Sequence, residues 1–107
     1  MAATTDLTDK TFEQTIRTNA PVLIDFWGDD CIPCKMMKPI VDGIRSKYKG
    51  KMFVYNAHIN SCSRVIEQYH IKSLPTLILL KEGKLVDKFT GFIREDMLCR
   101  RLESYIN

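Results

Sequence analysis

Two cysteines, Cys31 and Cys34, stand three positions apart in the stretch Trp27-Gly28-Asp29-Asp30-Cys31-Ile32-Pro33-Cys34-Lys35. Thiols at that spacing can close a disulfide with each other, so the pair can hold two electrons or release them. The same spacing also supplies half of a zinc site, which needs about four ligands. The other candidate ligands, Cys62, Cys99, His58 and His70, form no second close pair, so redox chemistry is favoured and no metal is expected. Asp25 is the third residue of chemical interest. It interrupts the apolar run 22–27, where a carboxylate is desolvated and its pKa rises. The plainer reading of Asp25 is a strand-end carboxylate that hydrogen-bonds a turn.

The elements that must position these groups follow from periodicity. Val22-Leu23-Ile24-Asp25-Phe26-Trp27 reads as a buried strand by length and residue type. After Cys34 the apolar residues Met37, Ile40, Val41, Ile44 and Tyr48 take helical spacing, with Lys35, Lys38, Asp42, Arg45 and Lys49 on the opposite face. The cysteines therefore sit at a strand-to-helix turn, with Cys31 near the helix N-terminus. Orphan N–H groups and the helix dipole there favour a thiolate, the reactive form of cysteine. This helix is expected to run to about residue 49 and stop at Gly50, with Pro39 inside it freeing one carbonyl.

Residues 1–7 read as a lead-in with room for one edge strand, and Thr8 or Asp9 as the cap of a first helix over about 10–18. Asn19-Ala20-Pro21 ends that helix. Met52 to Ile59 reads as a second buried strand, Cys62 to His70 as a short helix, and Thr76 to Leu80 and Leu85 to Thr90 as a hairpin turning at Glu82-Gly83. Arg94 to Ile106 reads as a last helix with Leu98, Leu102 and Ile106 inward. Strand, helix, strand over 22–59 predicts parallel pairing, and the hairpin adds antiparallel pairing. A mixed sheet with helices on both faces follows.

Val22 to Lys35 resembles the active-site strand and turn of thioredoxins, whose usual motif is W-C-G-P-C-K. Ile71-Lys72-Ser73-Leu74-Pro75-Thr76 resembles that family's cis-proline segment, Lys81-Glu82-Gly83-Lys84 its last hairpin turn, and Thr90-Gly91 its late glycine. The resemblance spans nearly the whole chain. It implies an α/β thioredoxin fold, with a central mixed sheet of four to five strands flanked by about four helices, as a single domain over 1–107. It implies Cys31 as the nucleophile, at a position that lowers a thiol's pKa (thioredoxins are themselves a standing example). Cys34 is then the resolving thiol, Cys31–Cys34 the redox disulfide, and Asp25 the group that manages the proton of Cys34 through a water. Leu74 and a cis Pro75 are expected to dock an extended substrate peptide, with Trp27, Ile32, Pro33, Gly91 and Phe92 bordering the same groove. For Pro75 the plain reading is a trans proline opening a strand, and for Phe92 a core residue.

Three positions depart from the family pattern. Ile32 replaces a glycine inside the motif, adding apolar surface beside the sulfurs. Asp30 replaces a tryptophan, and with Asp29 it places negative charge beside Cys31, opposing the thiolate. Asn56 replaces a lysine, and the loss of that charge should raise the pKa of Asp25 further. Cys62 and Cys99 read as structural, with a regulatory thiol as the second reading for Cys62.

Composition limits the alternatives. A chain of 107 residues with 45% apolar and 27% charged residues is ordinary for a globular domain. A net charge of +3 without a basic cluster does not predict nucleic-acid binding. No apolar run nears the roughly 18 residues of a membrane span. Met1 to Asp6 lacks the charged and apolar regions of a signal peptide, so a reducing, cytoplasmic setting is expected. The resulting expectation is a monomeric protein-disulfide reductase with no bound cofactor beyond its dithiol. Its partners are a thioredoxin-reductase-type electron donor and disulfide-containing proteins. The alternatives are a docking module on the same fold, for which two sulfurs are unnecessary, and an oxidase or isomerase.

Overall fold

The computed structural model describes residues 5–106. In chain order its elements are α1 (Phe12–Thr15), β1 (Val22–Trp27), α2 (Ile32–Lys47), β2 (Phe53–His58), α3 (Ser63–Gln68), β3 (Thr76–Lys81), β4 (Lys84–Thr90) and α4 (Glu95–Glu103). The sheet order is β2-β1-β3-β4. β1 pairs in parallel with β2, Asp25 opposite Asn56 and Trp27 opposite His58, and antiparallel with β3, Phe26 opposite Thr76. β3 and β4 form the expected hairpin, whose turn residues Glu82 and Gly83 have φ of 52° and 79°. Such a turn favours glycine at its second position because a Cβ is strained there.

β1 is central because both of its faces are covered. Leu23 joins Val54, Leu77, Leu79 and Phe89 on the face that packs against Met37, Val41 and Ile44 of α2 and Leu98 and Leu102 of α4. Val22, Ile24 and Phe26 point the other way, onto Phe12, Cys62 and Val65. Each such apolar side chain, fully buried, contributes about 1.5–3 kcal/mol before entropy is counted. Strand alternation then places Asp25 on the same face as Leu23, beneath α2. The chain passes from Trp27 through four residues into α2, and the two cysteines lie at that corner.

Several boundaries differ from expectation for local reasons. α1 has one turn, and it starts late because Thr8 and Thr11 bond each other's backbone N–H groups ahead of it. The Thr8 N–H donates to Thr11 Oγ1 at 3.1 Å and the Thr11 N–H to Thr8 Oγ1 at 3.3 Å. Beyond it, the Thr18 N–H turns back to the Ile16 carbonyl at 3.0 Å. Asp9 does not cap α1. It reaches across the sequence to accept the Arg64 and Val65 N–H groups at 3.1 Å each, capping α3. α4 ends at Glu103, where the Tyr105 N–H bonds the Leu102 carbonyl at 2.9 Å in a closing turn. The lead-in makes a parallel bridge rather than a strand, Asp6 beside Asn56, with the Leu7 N–H on the Asn56 carbonyl at 2.7 Å. Residues 1–4 of that lead-in lie outside the described residues.

The remote cap gives a direct test. Asp9→Ala removes the acceptor of two first-turn N–H groups and should cost about 1 kcal/mol of stability. Urea titration should show a lower midpoint with an unchanged slope.

Candidate active site

Cys31 is the N-cap of α2, and its Sγ accepts the Cys34 N–H at 3.1 Å. Pro33 lies in the first turn of that helix, where a missing N–H costs nothing. The two cysteines are joined as a disulfide with Cα atoms 5.2 Å apart. Their surroundings differ: Cys31 is half-buried, whereas Cys34 is 4% exposed. The outer sulfur is open to a partner and the inner one is shielded. The same backbone N–H that caps the helix points at the outer sulfur, where it favours a thiolate.

The Asp25 carboxyl is buried below α2, and its Oδ1 has no hydrogen-bond partner among the described residues. Burial pushes its pKa up to about 7. Arg45 opposes the rise, Asp42 adds to it and Lys38 opposes it further. Asp25 and Cys34 open on one hollow of about 390 Å³, together with Trp27, Lys35, Lys38 and Asn56. A larger hollow of about 780 Å³, lined by residues such as Glu13, Arg17 and Glu82, lies at the other end of the sheet and holds no thiol.

The residues expected to dock a substrate gather at the cysteine end of the sheet. The Leu74–Pro75 bond is cis, and the Gly91 N–H donates to the Pro75 carbonyl at 2.8 Å. Leu74 lies over Gly28, where an added Cβ would come within 3.1 Å of the leucine Cδ1. The Ile93 N–H meets Met37 Sδ at 3.5 Å, which fixes the Gly91–Ile93 segment against α2. Ile32 is 71% and Phe92 44% exposed, so Phe92 is not core. Pro33 is exposed, Trp27, Leu74 and Gly91 are half-buried, and Pro75 is buried as part of the floor.

Two side-chain arrangements were not apparent from the sequence. His58 Nε2 lies 3.0 Å from Asp29 Oδ1, while the Asn60 N–H donates to His58 Nδ1 at 3.1 Å. The Asn60 contact makes Nδ1 the acceptor, so Nε2 carries the proton that Asp29 receives. The Trp27 ring stands at 90° to the imidazole with centroids 4.5 Å apart. Asp29 is thus held by His58, a contact with no sign in the sequence. Arg45, expected on an outer polar face, instead spans from α2 to β2. Its Nε donates to the Val54 carbonyl at 3.1 Å, Nη1 to Asp42 Oδ1 at 2.8 Å and Nη2 to Asn56 Oδ1 at 3.3 Å. Arg45 thus brings a cation beside Asn56, on the sheet face that carries Asp25. Both contacts depend on which β2 residue stands opposite which β1 residue, and no local pattern encodes that register.

Cys62 is fully buried and its thiol donates to the Leu7 carbonyl at 3.1 Å; burial raises its pKa to about 11. Those properties fit a structural thiol and argue against a regulatory one. Cys99 is also free and buried. Among the described residues no group of three His, Cys, Asp or Glu side chains is placed to hold a metal ion, and no helix is long and apolar enough to cross a membrane.

The thioredoxin family model matches residues 3–104. Thioredoxin 1 of Nostoc sp. is 38% identical over 107 residues, covering 99% of this chain and 100% of its own. The thioredoxin of Synechocystis sp. is 37% identical over the same share of each. A chloroplastic M-type thioredoxin of Spinacia oleracea is 29% identical over 103 residues, 95% of this chain and 57% of that protein.

Asp25 yields a pH prediction. Its folded pKa is raised above the unfolded value, so the folded state holds the extra proton and loses stability as pH rises from about 4 to about 7. Above that range the penalty is constant, at most about 4 kcal/mol for a carboxyl moved from 3.8 to about 7. Asp25→Asn should therefore match the wild type near pH 4 and exceed it in stability at pH 8. Urea unfolding of the oxidised proteins at both pH values checks this.

Proposed function

The chain belongs to the thioredoxin family, and from that premise we propose that its dithiol–disulfide exchange runs through Cys31 and Cys34, with Asp25 moving the proton. It is a protein-disulfide oxidoreductase whose working group is the dithiol itself. The observation that carries the residue assignment is the bonded Cys31–Cys34 pair, with one sulfur half-buried at a helix N-terminus and the other shielded above a buried carboxyl.

The Cys31 thiolate attacks one sulfur of a substrate disulfide. A bond forms between Cys31 and that sulfur, and the other substrate sulfur leaves as a thiolate and takes a proton. Cys34 then passes its proton to the Asp25 carboxylate, through water in the shared hollow, and attacks Cys31 Sγ. The Cys31–Cys34 bond forms, the mixed disulfide breaks, and the second substrate thiol is released. Two electrons have moved to the substrate. A carboxyl with a pKa of about 7 suits this transfer, since it can accept and return a proton near neutrality.

The family implies a thioredoxin reductase as electron donor and disulfide-containing proteins as substrates. In this chain we assign substrate docking to the backbone of Leu74, over a floor that includes Pro75, with Trp27, Ile32, Pro33, Gly91 and Phe92 around it. Exposed Ile32 and Phe92 support that assignment, because apolar groups at a rim gain from being covered. Residues 1–107 act as one domain and as a monomer in this proposal. A cytoplasmic setting is consistent with the two free thiols, Cys62 and Cys99.

Cys34→Ser keeps the attack and removes the resolution. It should accumulate a mixed disulfide with a protein substrate through Cys31, whereas Cys31→Ser should trap none. Mass spectrometry of the trapped adduct is the measurement, and an adduct at Cys62 or Cys99 would overturn the assignment.

A further inference from the structure

Building on the role proposed for Asp25, we propose that Arg45 is a positioning residue of the redox site, supplying from α2 the fixed positive charge that faces the Asp25 carboxyl. Asn56 is the strut that holds its guanidinium there. Asp25 and Asn56 are register partners on adjacent parallel strands, so their side chains leave the sheet on the same face, toward α2. Arg45 meets that face with three separate N–H groups: one on the Val54 carbonyl, one on the Asn56 amide oxygen and one on Asp42. A guanidinium fixed by a fork of acceptors cannot swing into solvent as an ammonium can.

Besides Arg45, the ionisable groups facing Asp25 include two cations, Lys35 and Lys38, of which Lys38 bears on its carboxyl. α2 contributes Cys34, Lys35, Lys38, Asp42 and Arg45; the lead-in contributes Asp6, and the loop after β1 contributes Asp29. The flanking strands place Asn56 and Leu77 opposite Asp25, and neither titrates. Lys38 shares Asp42 with Arg45, at 3.1 Å, but its side chain is 71% exposed against 27% for Arg45. Water and salt screen the exposed cation more than the half-buried one. Arg45 is accordingly the first influence that opposes burial at Asp25.

The chemical consequence falls on the second step. Asp25 must be ionised to take the Cys34 proton. Without the guanidinium it stays protonated to higher pH, and Cys34 retains its proton at neutrality. The attack by Cys31, which needs no proton from Cys34, is unaffected. Arg45 therefore separates the two half-steps in pH.

The experiment has two readouts. The Asp25 midpoint is measured by carbon NMR titration of the carboxyl in the oxidised protein. The two half-steps are measured by stopped flow with an aromatic disulfide reagent, which releases one coloured thiolate on attack and a second on resolution. In Arg45→Gln the Asp25 midpoint should rise by about half a pH unit or more. The pH profile of the resolution phase should move with it, while the attack phase stays in place. Arg45→Lys keeps the charge but loses the fork of acceptors, so its midpoint should fall between those of the wild type and Arg45→Gln. Asn56→Lys in the Arg45→Gln background should restore the wild-type midpoint, which a merely structural role of Arg45 would not allow.

Lys38→Gln should shift the midpoint less than Arg45→Gln. An unchanged midpoint in folded Arg45→Gln, or a larger shift in Lys38→Gln, overturns the proposal. A midpoint that moves without any change in the resolution profile upholds the Arg45–Asp25 coupling and removes Asp25 from the reaction instead.

Discussion

Helix α2 begins on a sulfur, and the rest of the site depends on that constraint. An α-helix leaves its first N–H groups without internal partners. Here the Cys34 N–H is satisfied by Cys31 Sγ, so one bond both caps the helix and polarises the outer sulfur. The position of that cap is not free. β1 is buried on both faces, α2 must pack on Leu23 through Met37, Val41 and Ile44, and only four residues separate the strand from the helix. The packed core thus sets the place and direction of the helix dipole, and the thiol pair receives its geometry from apolar contacts that take no part in the chemistry.

The same packing sets the electrostatics beneath the sulfurs. Alternation along β1 that puts Leu23 under α2 also puts Asp25 there, two residues nearer the cysteines. Without compensating cations a carboxyl in that layer would stay protonated to higher pH. Arg45 and Lys38 oppose burial, while Asp42, which binds both, works against them. The outcome near neutrality is a balance of opposing effects, with burial the largest and Arg45 the next.

How much of this could be read in the sequence follows the range of the interactions. The strand 22–27, the switch to helical spacing after Cys34 and the turn at Glu82-Gly83 rest on neighbours within a few residues, and they appear where the pattern puts them. The cysteine pair and Asp25 were evident because a redox spacing and a charge in an apolar run are themselves local signals. The Asp9 cap on α3, the His58–Asp29–Trp27 cluster and the reach of Arg45 to β2 were not. Each joins side chains far apart in sequence, through register and helix placement that only the folded sheet defines. α1 is shorter for a different reason: Thr8 and Thr11 bond each other's backbone N–H groups and set its start at Phe12, and the Thr18 N–H turns back to the Ile16 carbonyl and closes it.

The three departures from the usual thioredoxin pattern then fall into two physical kinds. Asn56 lies inside, under α2, and its change is accompanied by a cation arriving from another element onto the same face. Asp30 and Ile32 lie outside, exposed on either side of Cys31, and no described contact offsets them. An interior change alters the proton balance that every substrate shares, so it must be compensated if the reaction is to run near neutral pH. An exterior change alters only what the sulfur meets on approach: a charge in place of an aromatic face, and an aliphatic knob in place of bare backbone. The two can vary independently because Cys34 and Asp25 are buried while Asp30 and Ile32 are exposed. This separation, produced by burying one sulfur and exposing the other, lets one reaction centre serve a different set of partners without changing its chemistry.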